Sequence, residues 1–594
     1  MKRMLTSATA LALTIAAGAT LAAGAAQAQS YGRLVVFGDS LSDNGNLFIA
    51  SGGTQPPSPP FAQRFSNGPV WAELLGFNAV NFNGSVAGSY NTAFGGARTD
   101  FTAFPPGARL QLQNYQAAGG VFTPSTLTTV WIGANDIFQG LPGAAASPNP
   151  AGAMATIAGT AATNAGFVVN AAASGGGTVL VGNLPQLSTT PQFAGSPAAP
   201  LADFAVSQFN SALNAQLQAA SAANPNANII LFDVNRVGST IIQRASAFGL
   251  TNVTQPCFNG VTVCSNPNQY FYFDGVHPTA RGHQLIAALA TDYLYYRNRA
   301  MPTALLAETS TEHRQGGFDQ ALSMLRAPGG EDSEGVGLIV QGGRSEGDAR
   351  GFVSASERDA YAVRLVLAKQ AGAWRMGAQF SLDKSETTAG ALSFDTESLS
   401  ADGFVGWSGE RVFVNAVFGV GRNDFEDVTR LTALAPITHT ASTKGMTWGG
   451  GVEVGARLGA LTPRVGLTAF DGSVDAYQET GPAARHSIGE RQVQGLTGEA
   501  AVRWDGDMGG MKAFAEVGYR DWLSYDGDPV SVALVDNTAD RLTGTVEEPG
   551  GTALVDLGLS TTVLERIEVG LSYRGRIGDT TDSHAGILSA RLAF

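Results

Sequence analysis

The amino-acid sequence predicts two folds in series: an α/β unit on a parallel sheet, and after it an antiparallel, membrane-spanning β-barrel of about twelve strands. Three observations predict this. The first half alternates short apolar runs with Ala-rich stretches of helical length. The second half changes to long segments with a period of two, apolar on one face and polar on the other. Charge divides along the same line: Tyr31 to Ala300 holds 9 Arg, no Lys and 9 acidic residues, whereas Glu331 to Phe594 holds 23 Lys plus Arg against 37 Asp plus Glu, a net of -14. At 594 residues the chain is also too long for one compact core.

Composition narrows the function classes. With 44% hydrophobic residues, 14% charged residues and a formal charge of -13, the chain is neither a basic nucleic-acid binder nor a disordered, highly solvated polymer. Two Cys exclude a disulfide-dense scaffold and any four-cysteine zinc site. At the N-terminus, Lys2 and Arg3 precede a small, apolar run from Ala8 to Ala26 that ends in Ala26-Gln27-Ala28, the pattern of a secretory signal peptide over residues 1–28. A membrane anchor is the alternative, but the run is only weakly hydrophobic. Beyond it no apolar run of 18 residues is evident, so membrane insertion is expected to use strands.

In the α/β unit, strands are expected at Leu34 to Phe37, near Ala79 to Phe82, and at Thr128 to Ile132, Thr178 to Val181 and Asn228 to Phe232. Helices are expected at Gly152 to Ala173, Pro200 to Ala222 and Ala280 to Tyr296. Ligands of such sheets bind beyond the carboxyl ends of the strands, so the informative residues should follow each run. Leu34 to Phe37 leads into Gly38-Asp39-Ser40-Leu41-Ser42-Asp43, where a tight turn can present the Ser40 hydroxyl. Thr129 to Ile132 leads into Gly133-Ala134-Asn135-Asp136 and so to an amide side chain. The pair Gly95-Gly96 can bring N–H groups close to a ligand. In Asp274-Gly275-Val276-His277-Pro278, just before a helix, a carboxylate and an imidazole can lie side by side. Each segment alone also reads as an ordinary turn, cap or surface residue.

Together and in this order, the four segments resemble the sequence blocks of the GDSL, or SGNH, hydrolases; Gly182-Asn183-Leu184-Pro185 and Phe209-Asn210 resemble further features of that family. The resemblance spans about residues 33 to 300. It implies an α/β SGNH-hydrolase fold with a flavodoxin-like parallel sheet, and an esterase or lipase that needs neither cofactor nor metal. It makes Ser40 the nucleophile, His277 the general base and then acid, and Asp274 the residue that holds the imidazole. The oxyanion donors it implies are the N–H groups of Ser40 and Gly96 and the side-chain amide of Asn135, with Gly95 open as the alternative to Gly96. A serine hydroxyl needs a neutral imidazole to take its proton, and the tetrahedral intermediate needs preset donors. The remaining histidines, His283, His313, His439, His486 and His584, lack such a context.

The family acts on acyl glycerols, lysophospholipids, alkyl esters or acetylated sugars, so the triad does not choose the substrate. The apolar loops Gly52 to Arg64 and Phe101 to Pro106 favour a hydrophobic acyl chain over a sugar acetate. Cys257 and Cys264 are expected to be disulfide-bonded in an exported chain, with two reduced buried thiols as the alternative.

After Arg299 the pattern changes. Pro302 to Arg326 reads as a helix ended by Pro328-Gly329-Gly330. Then Tyr361, Val363, Leu365 and Leu367 oppose Arg364; Val412, Val414, Ala416, Phe418 and Val420 oppose Asn415; Ile567, Val569, Leu571 and Tyr573 oppose Glu568, Ser572 and Arg574. Short turns such as Ala371-Gly372 and longer polar loops such as Asp424 to Lys444 separate the segments. A soluble β-sandwich alternates too, but the leader, the helix and the terminal Phe594 together resemble the translocator of autotransporters. Residues 29–300 are therefore expected to be an esterase passenger, 301–330 a linker helix through the pore, and 331–594 the barrel. The expected setting is the outer membrane of a Gram-negative bacterium, with the passenger at the cell surface as a monomer. The expected partners are an ester or lipid substrate, membrane lipids and the barrel assembly machinery, with no nucleic acid. A non-catalytic adhesin is the reading from a different class.

Overall fold

The computed structural model describes residues 30–326, 335–434, 437–563 and 566–593. The leader at 1–28, the Pro328–Gly330 break and Phe594 lie outside the described residues.

Five strands, β1 (Arg33–Gly38), β2 (Tyr90–Asn91), β3 (Thr126–Trp131), β4 (Thr178–Gly182) and β5 (Asn228–Phe232), form a parallel sheet in the order β2-β1-β3-β4-β5. β1 and β3 are buried on both faces, so the Leu34 to Phe37 segment of β1 reads as an unbroken apolar run, while β3 buries Thr126, Thr128 and Thr129 along with its apolar residues. The strand expected near Ala79 to Phe82 is absent. Val80 makes a single bridge to Tyr90, and the N–H of Phe82 is taken by the Asn46 side chain at 2.9 Å, so the second strand forms at Tyr90–Asn91 instead.

The helices are α1 (Asn46–Ala50), α2 (Ala108–Ala117), α3 (Ala134–Ala145), α4 (Pro150–Ala173), α5 (Ala199–Ala223), α6 (Val234–Gln243), α7 (Ala280–Leu294) and α8 (Tyr296–Ala300). Contrary to the expectation, α4 is long and apolar enough, by length and composition, to cross a membrane. Its many Ala side chains serve another purpose. Ala158, Ala161, Ala165 and Val169 are buried in the core of the α/β unit, and Gly166 lets α5 approach closely, since a Cβ there would meet Gln216 Cβ at 2.7 Å.

A long helix, α9 (Ala304–Arg326), then enters a closed barrel of twelve strands. In chain order these are β6 (Gly335–Gly347), β7 (Ser356–Ala371), β8 (Trp374–Ala389), β9 (Leu392–Ser408), β10 (Val412–Leu431), β11 (Thr438–Ala456) and β12 (Leu461–Val474). Two short strands follow, β13 (Tyr477–Gln478) and β14 (His486–Ile488), then β15 (Arg491–Met508) and β16 (Met511–Gly527). After β17 (Val530–Leu534) and β18 (Leu542–Gly544), the barrel resumes with β19 (Thr552–Val563), β20 (Ile567–Gly578) and β21 (Thr581–Ala593). β21 pairs with β6 from Thr581↔Gly347 to Ala593↔Gly335, so the barrel closes with no free edge.

Tyr361, Val363, Leu365 and Leu367 point outward and are exposed, while Arg364 between them is buried in the lumen beside Asp383 at 2.7 Å. The lumen charges also hold α9. Arg314 pairs with Asp402, Arg326 with Glu453 at 2.7 Å, and Asp319 with Arg520 at 2.6 Å. Phe318, Leu322 and Leu325 pack against Ile339, Val366, Phe404 and Val417. The long polar loop expected at Asp424 to Lys444 is mostly strand. Those two residues are paired partners in the β10–β11 ladder, and only 432–437 connect the strands. Polarity there marks departure from lipid, not departure from the sheet.

The strands β13, β14, β17 and β18 form a small antiparallel sheet at the end of the barrel that faces the α/β unit. The loop after β17 docks on the free edge of β5. Asn537 accepts from the N–H of Leu231 at 2.9 Å and donates to its carbonyl at 2.7 Å, and Thr538 donates to the carbonyl of Ile229 at 2.8 Å. Asp540 N–H reaches Asn228 Oδ1 at 3.0 Å, and its carbonyl accepts from the Tyr296 hydroxyl at 2.6 Å.

Candidate active site

At the carboxyl end of β1 the chain turns at Gly38-Asp39-Ser40, and the Ser40 hydroxyl lies at the sheet's rim, 8% exposed. His277 arrives from the loop before α7, and its Nε2 is 2.8 Å from Ser40 Oγ. Its Nδ1 is 2.7 Å from Asp274 Oδ2. With the proton on Nδ1 donated to Asp274, Nε2 is the acceptor facing the hydroxyl. Asp274 Oδ1 accepts the N–H groups of Val276 and His277 at 2.9 and 2.8 Å, so the same carboxylate shapes the turn and aims the ring. Burial raises the carboxyl's pKa, but the imidazole and these hydrogen bonds outweigh it and hold Asp274 below the ordinary carboxylate value. Phe65 lies against the His277 ring at 5.1 Å between centroids.

The two glycines of the second segment have different physical requirements. Gly96 has φ +76, a conformation that side chains rarely adopt. At Gly95 a Cβ would meet Phe65 Cε2 at 2.0 Å. The Gly95 N–H is already donated to Asp43 Oδ2 at 2.8 Å. Among the described residues the N–H groups of Ser40 and Gly96 have no protein acceptor. Asn135 is the second residue of α3, and its amide donates to Ala97 O at 3.0 Å, placing it against the same loop. The structure thus brings together the segments holding Ser40, Gly96, Asn135, Asp274 and His277.

Cys257 and Cys264 form a disulfide with Cα atoms 4.9 Å apart. The hairpin that they close carries Phe258, which packs on Phe61 and Phe273 close to the Asp274 turn. The five other histidines lie elsewhere. Of these, His283 is fully buried below the site, where its Nδ1 accepts the Trp71 N–H at 3.3 Å, and burial followed by the nearby His277 pushes its pKa down to about 3. Among the described residues no group of three or more His, Cys, Asp or Glu side chains is placed to hold a metal ion.

Several supporting residues escape the sequence reading. Gln111 on α2 pairs with both the N–H and carbonyl of Gly38, at 3.1 and 2.9 Å, and so braces the nucleophile turn. Asn210 does the same for Leu184, at 2.9 and 2.8 Å, so the Phe209-Asn210 pair has a structural purpose. Asp136 accepts from Thr99 N–H and Oγ1, both at 2.9 Å. Asp39, beside Ser40, is buried with one local hydrogen bond, from the Leu41 N–H, and burial pushes its pKa up to about 7. Asp43 and Asp136 stand inside the recognisable segments, but only their long-range partners reveal what they hold.

Residues 34–290 match the GDSL-like lipase/acylhydrolase family, and residues 315–574 match the autotransporter β-domain family. Esterase EstA of Pseudomonas aeruginosa is 26% identical over 95% of this chain and 96% of its own length. An acetylesterase of Thermothelomyces thermophilus is 28% identical over 49% of this chain and 98% of its own. A phosphatidylcholine-sterol acyltransferase of Aeromonas hydrophila is 28% identical over 39% of this chain and 67% of its own. Among solved structures, the translocator domain of NalP from Neisseria meningitidis covers 50% of this chain at 18% identity and a TM-score of 0.42; the barrel stands on its own closure and on the family match. The two matches, in this order, and the likeness to Esterase EstA along nearly the whole chain make the protein a GDSL-type carboxylic ester hydrolase unit joined to an outer-membrane autotransporter β-barrel.

Proposed function

We propose that Ser40 attacks the ester carbonyl, with His277 as general base and Asp274 orienting the ring and stabilising its cation. The continuous relay from Asp274 through His277 to Ser40, at 2.7 and 2.8 Å, is the observation that carries this reading. The tetrahedral oxyanion is held by the N–H groups of Ser40 and Gly96 and by the Asn135 amide. Gly96 is favoured over Gly95 because the Gly95 N–H is engaged by Asp43. His277 then protonates the departing alcohol. Water activated by the same ring releases the acid.

The substrate is an ester with an apolar acyl chain, either a lipid or a simple alkyl ester. Three stretches beside the site, 44–63, 101–108 and 245–273, contain no charged residue. Phe101 and Phe104 are 53% and 60% exposed, and Pro105 Cγ comes within 3.5 Å of the place where a Cβ on Gly96 would lie. The second reading, a carbohydrate O-acetyl esterase, is favoured by the similarity to an acetylesterase along almost that enzyme's whole length. Residues 29–300 are the passenger, 301–330 thread the pore, and 331–594 form the barrel. The protein is a monomer, inserted by the barrel assembly machinery, and it displays the passenger at the surface of a Gram-negative cell.

The experiment is a rate panel of chromogenic esters from acetyl to palmitoyl beside acetylated sugars, using the full-length protein and Ser40→Ala. Turnover that peaks on medium or long acyl chains and vanishes in Ser40→Ala supports the reading. Activity retained in Ser40→Ala refutes the nucleophile, and no turnover of any ester by the parent protein leaves the adhesin reading standing. Esterase lost when intact cells are treated with protease tests the display.

A further inference from the structure

Asp43 lies three residues after Ser40 and is 1% exposed. Its carboxylate accepts four backbone N–H groups. Oδ1 takes those of Gly45 and Asn46 at 2.8 and 2.6 Å, and Oδ2 takes those of Leu47 and Gly95 at 3.1 and 2.8 Å. Three of these bonds are local and shape the entry into α1. The fourth crosses 52 residues to the loop that presents Gly96. No salt bridge to Asp43 occurs among the described residues; the nearby Arg64 is held by Glu73 at 2.6 Å. A carboxylate buried without a bonded cation is costly, and four matched donors are what allow it. Capping a short helix does not demand this, because a Ser or Asn side chain suffices there. The demanding bond is the one to Gly95.

That bond has a geometric consequence. The loop from Gly95 to Thr99 is tied at its far end by Asp136, which accepts from Thr99 N–H and Oγ1, and in its middle by Asn135 on Ala97 O. Asp43 ties the near end. With the Gly95 N–H committed to Asp43, the next N–H, on Gly96 at φ +76, has no protein acceptor among the described residues.

We propose that Asp43 is a positioning residue for the oxyanion hole: by taking the Gly95 N–H it sets the Gly95–Gly96 peptide, so that the Gly96 N–H is presented to the developing oxyanion beside that of Ser40. This inference rests on the proposed roles of Ser40, His277 and Gly96. Asp43 touches no reacting atom and acts only through the loop. Burial lifts its pKa to about 6, against the pull of the four N–H donors, so it is the ionised form above that value that accepts all four.

The test uses the full-length protein in detergent with two substitutions. Asp43→Asn keeps the shape but turns an N–H toward donors. Asp43→Ser keeps the local cap and is too short for Gly95. Active sites are counted with a phosphonate ester that labels Ser40, and turnover of a butyrate ester is expressed per active site. A boronic acid serves as a mimic of the tetrahedral intermediate, and the product acid as a ground-state ligand. Both variants should lose roughly 10- to 100-fold in kcat, with KM moving less than about threefold. Boronate affinity should fall in parallel while product-acid affinity stays unchanged. A parent-like kcat per active site in Asp43→Ser overturns the proposal, as does a loss accounted for wholly by fewer titrated sites, or failure of both variants to fold. If Ser40→Ala is active, the triad falls instead; if it is inactive while Asp43→Ser turns over normally, only the role of Asp43 falls.

Discussion

Replacing Asn537 by Ala removes the side chain that completes the outer edge of β5. Its amide matches both the N–H and the carbonyl of Leu231, at 2.9 and 2.7 Å, as a neighbouring strand would. Leaving a buried backbone donor and acceptor unmatched costs about 1–3 kcal/mol each, and because Leu231 is half-buried, water recovers part of it, which leaves about 2 kcal/mol. For a unit of this size, a kilocalorie corresponds to roughly 2–4 °C, so the loss predicts a fall of about 4–8 °C. The assay is the melting of the hydrolase unit in full-length protein in detergent, followed by residual esterase activity and by near-ultraviolet circular dichroism. Asn537→Asp should fall further, because it sets a carboxylate oxygen against the Leu231 carbonyl. The reasoning is refuted if both variants melt within about 1 °C of the parent, for then the docked loop contributes nothing to the sheet it covers.

Asn135→Ala should lower turnover by about 100- to 1,000-fold with little change in KM, as steady-state kinetics on a butyrate ester will register. Gly95→Ala places a methyl 2.0 Å from Phe65 Cε2, so the ring beside His277 must move; a stability loss of about 1–3 kcal/mol with reduced turnover is expected, and a parent-like melting curve contradicts it. The folded pKa of His283 is depressed to about 3, so its neutral form stabilises the fold above about 6.5, and that stability drains as the pH falls from 6.5 toward 3. His283→Gln should therefore flatten the acid side of the stability profile by about 3 kcal/mol between pH 7 and pH 4, measured by denaturant melts at the two pH values.

What the sequence determined by itself is the local chemistry and the period of each element. Apolar runs such as Leu34 to Phe37 announce strands buried on both faces, and the alternation around Arg364 announces a wall between lipid and lumen, because side-chain direction in a strand follows residue parity. The segments that hold Ser40, the Gly95-Gly96 pair, Asn135, Asp274 and His277 are recognisable in the sequence, and the structure sets those segments side by side. Other local readings failed where a tertiary contact intervened. The N–H of Phe82 went to Asn46 instead of a strand, and the polar stretch from Asp424 to Lys444 stayed paired because water can face a ladder that has risen out of lipid. Only the tertiary structure decided which glycine N–H is committed and which is left, since a bond across 52 residues has no signature in either segment. The same holds for Gln111 bracing Gly38 and for Asn537 sealing β5 from 306 residues away. Burial makes each of these polar partners obligatory, and where a chain must find them depends on how its elements pack rather than on what surrounds each residue in sequence.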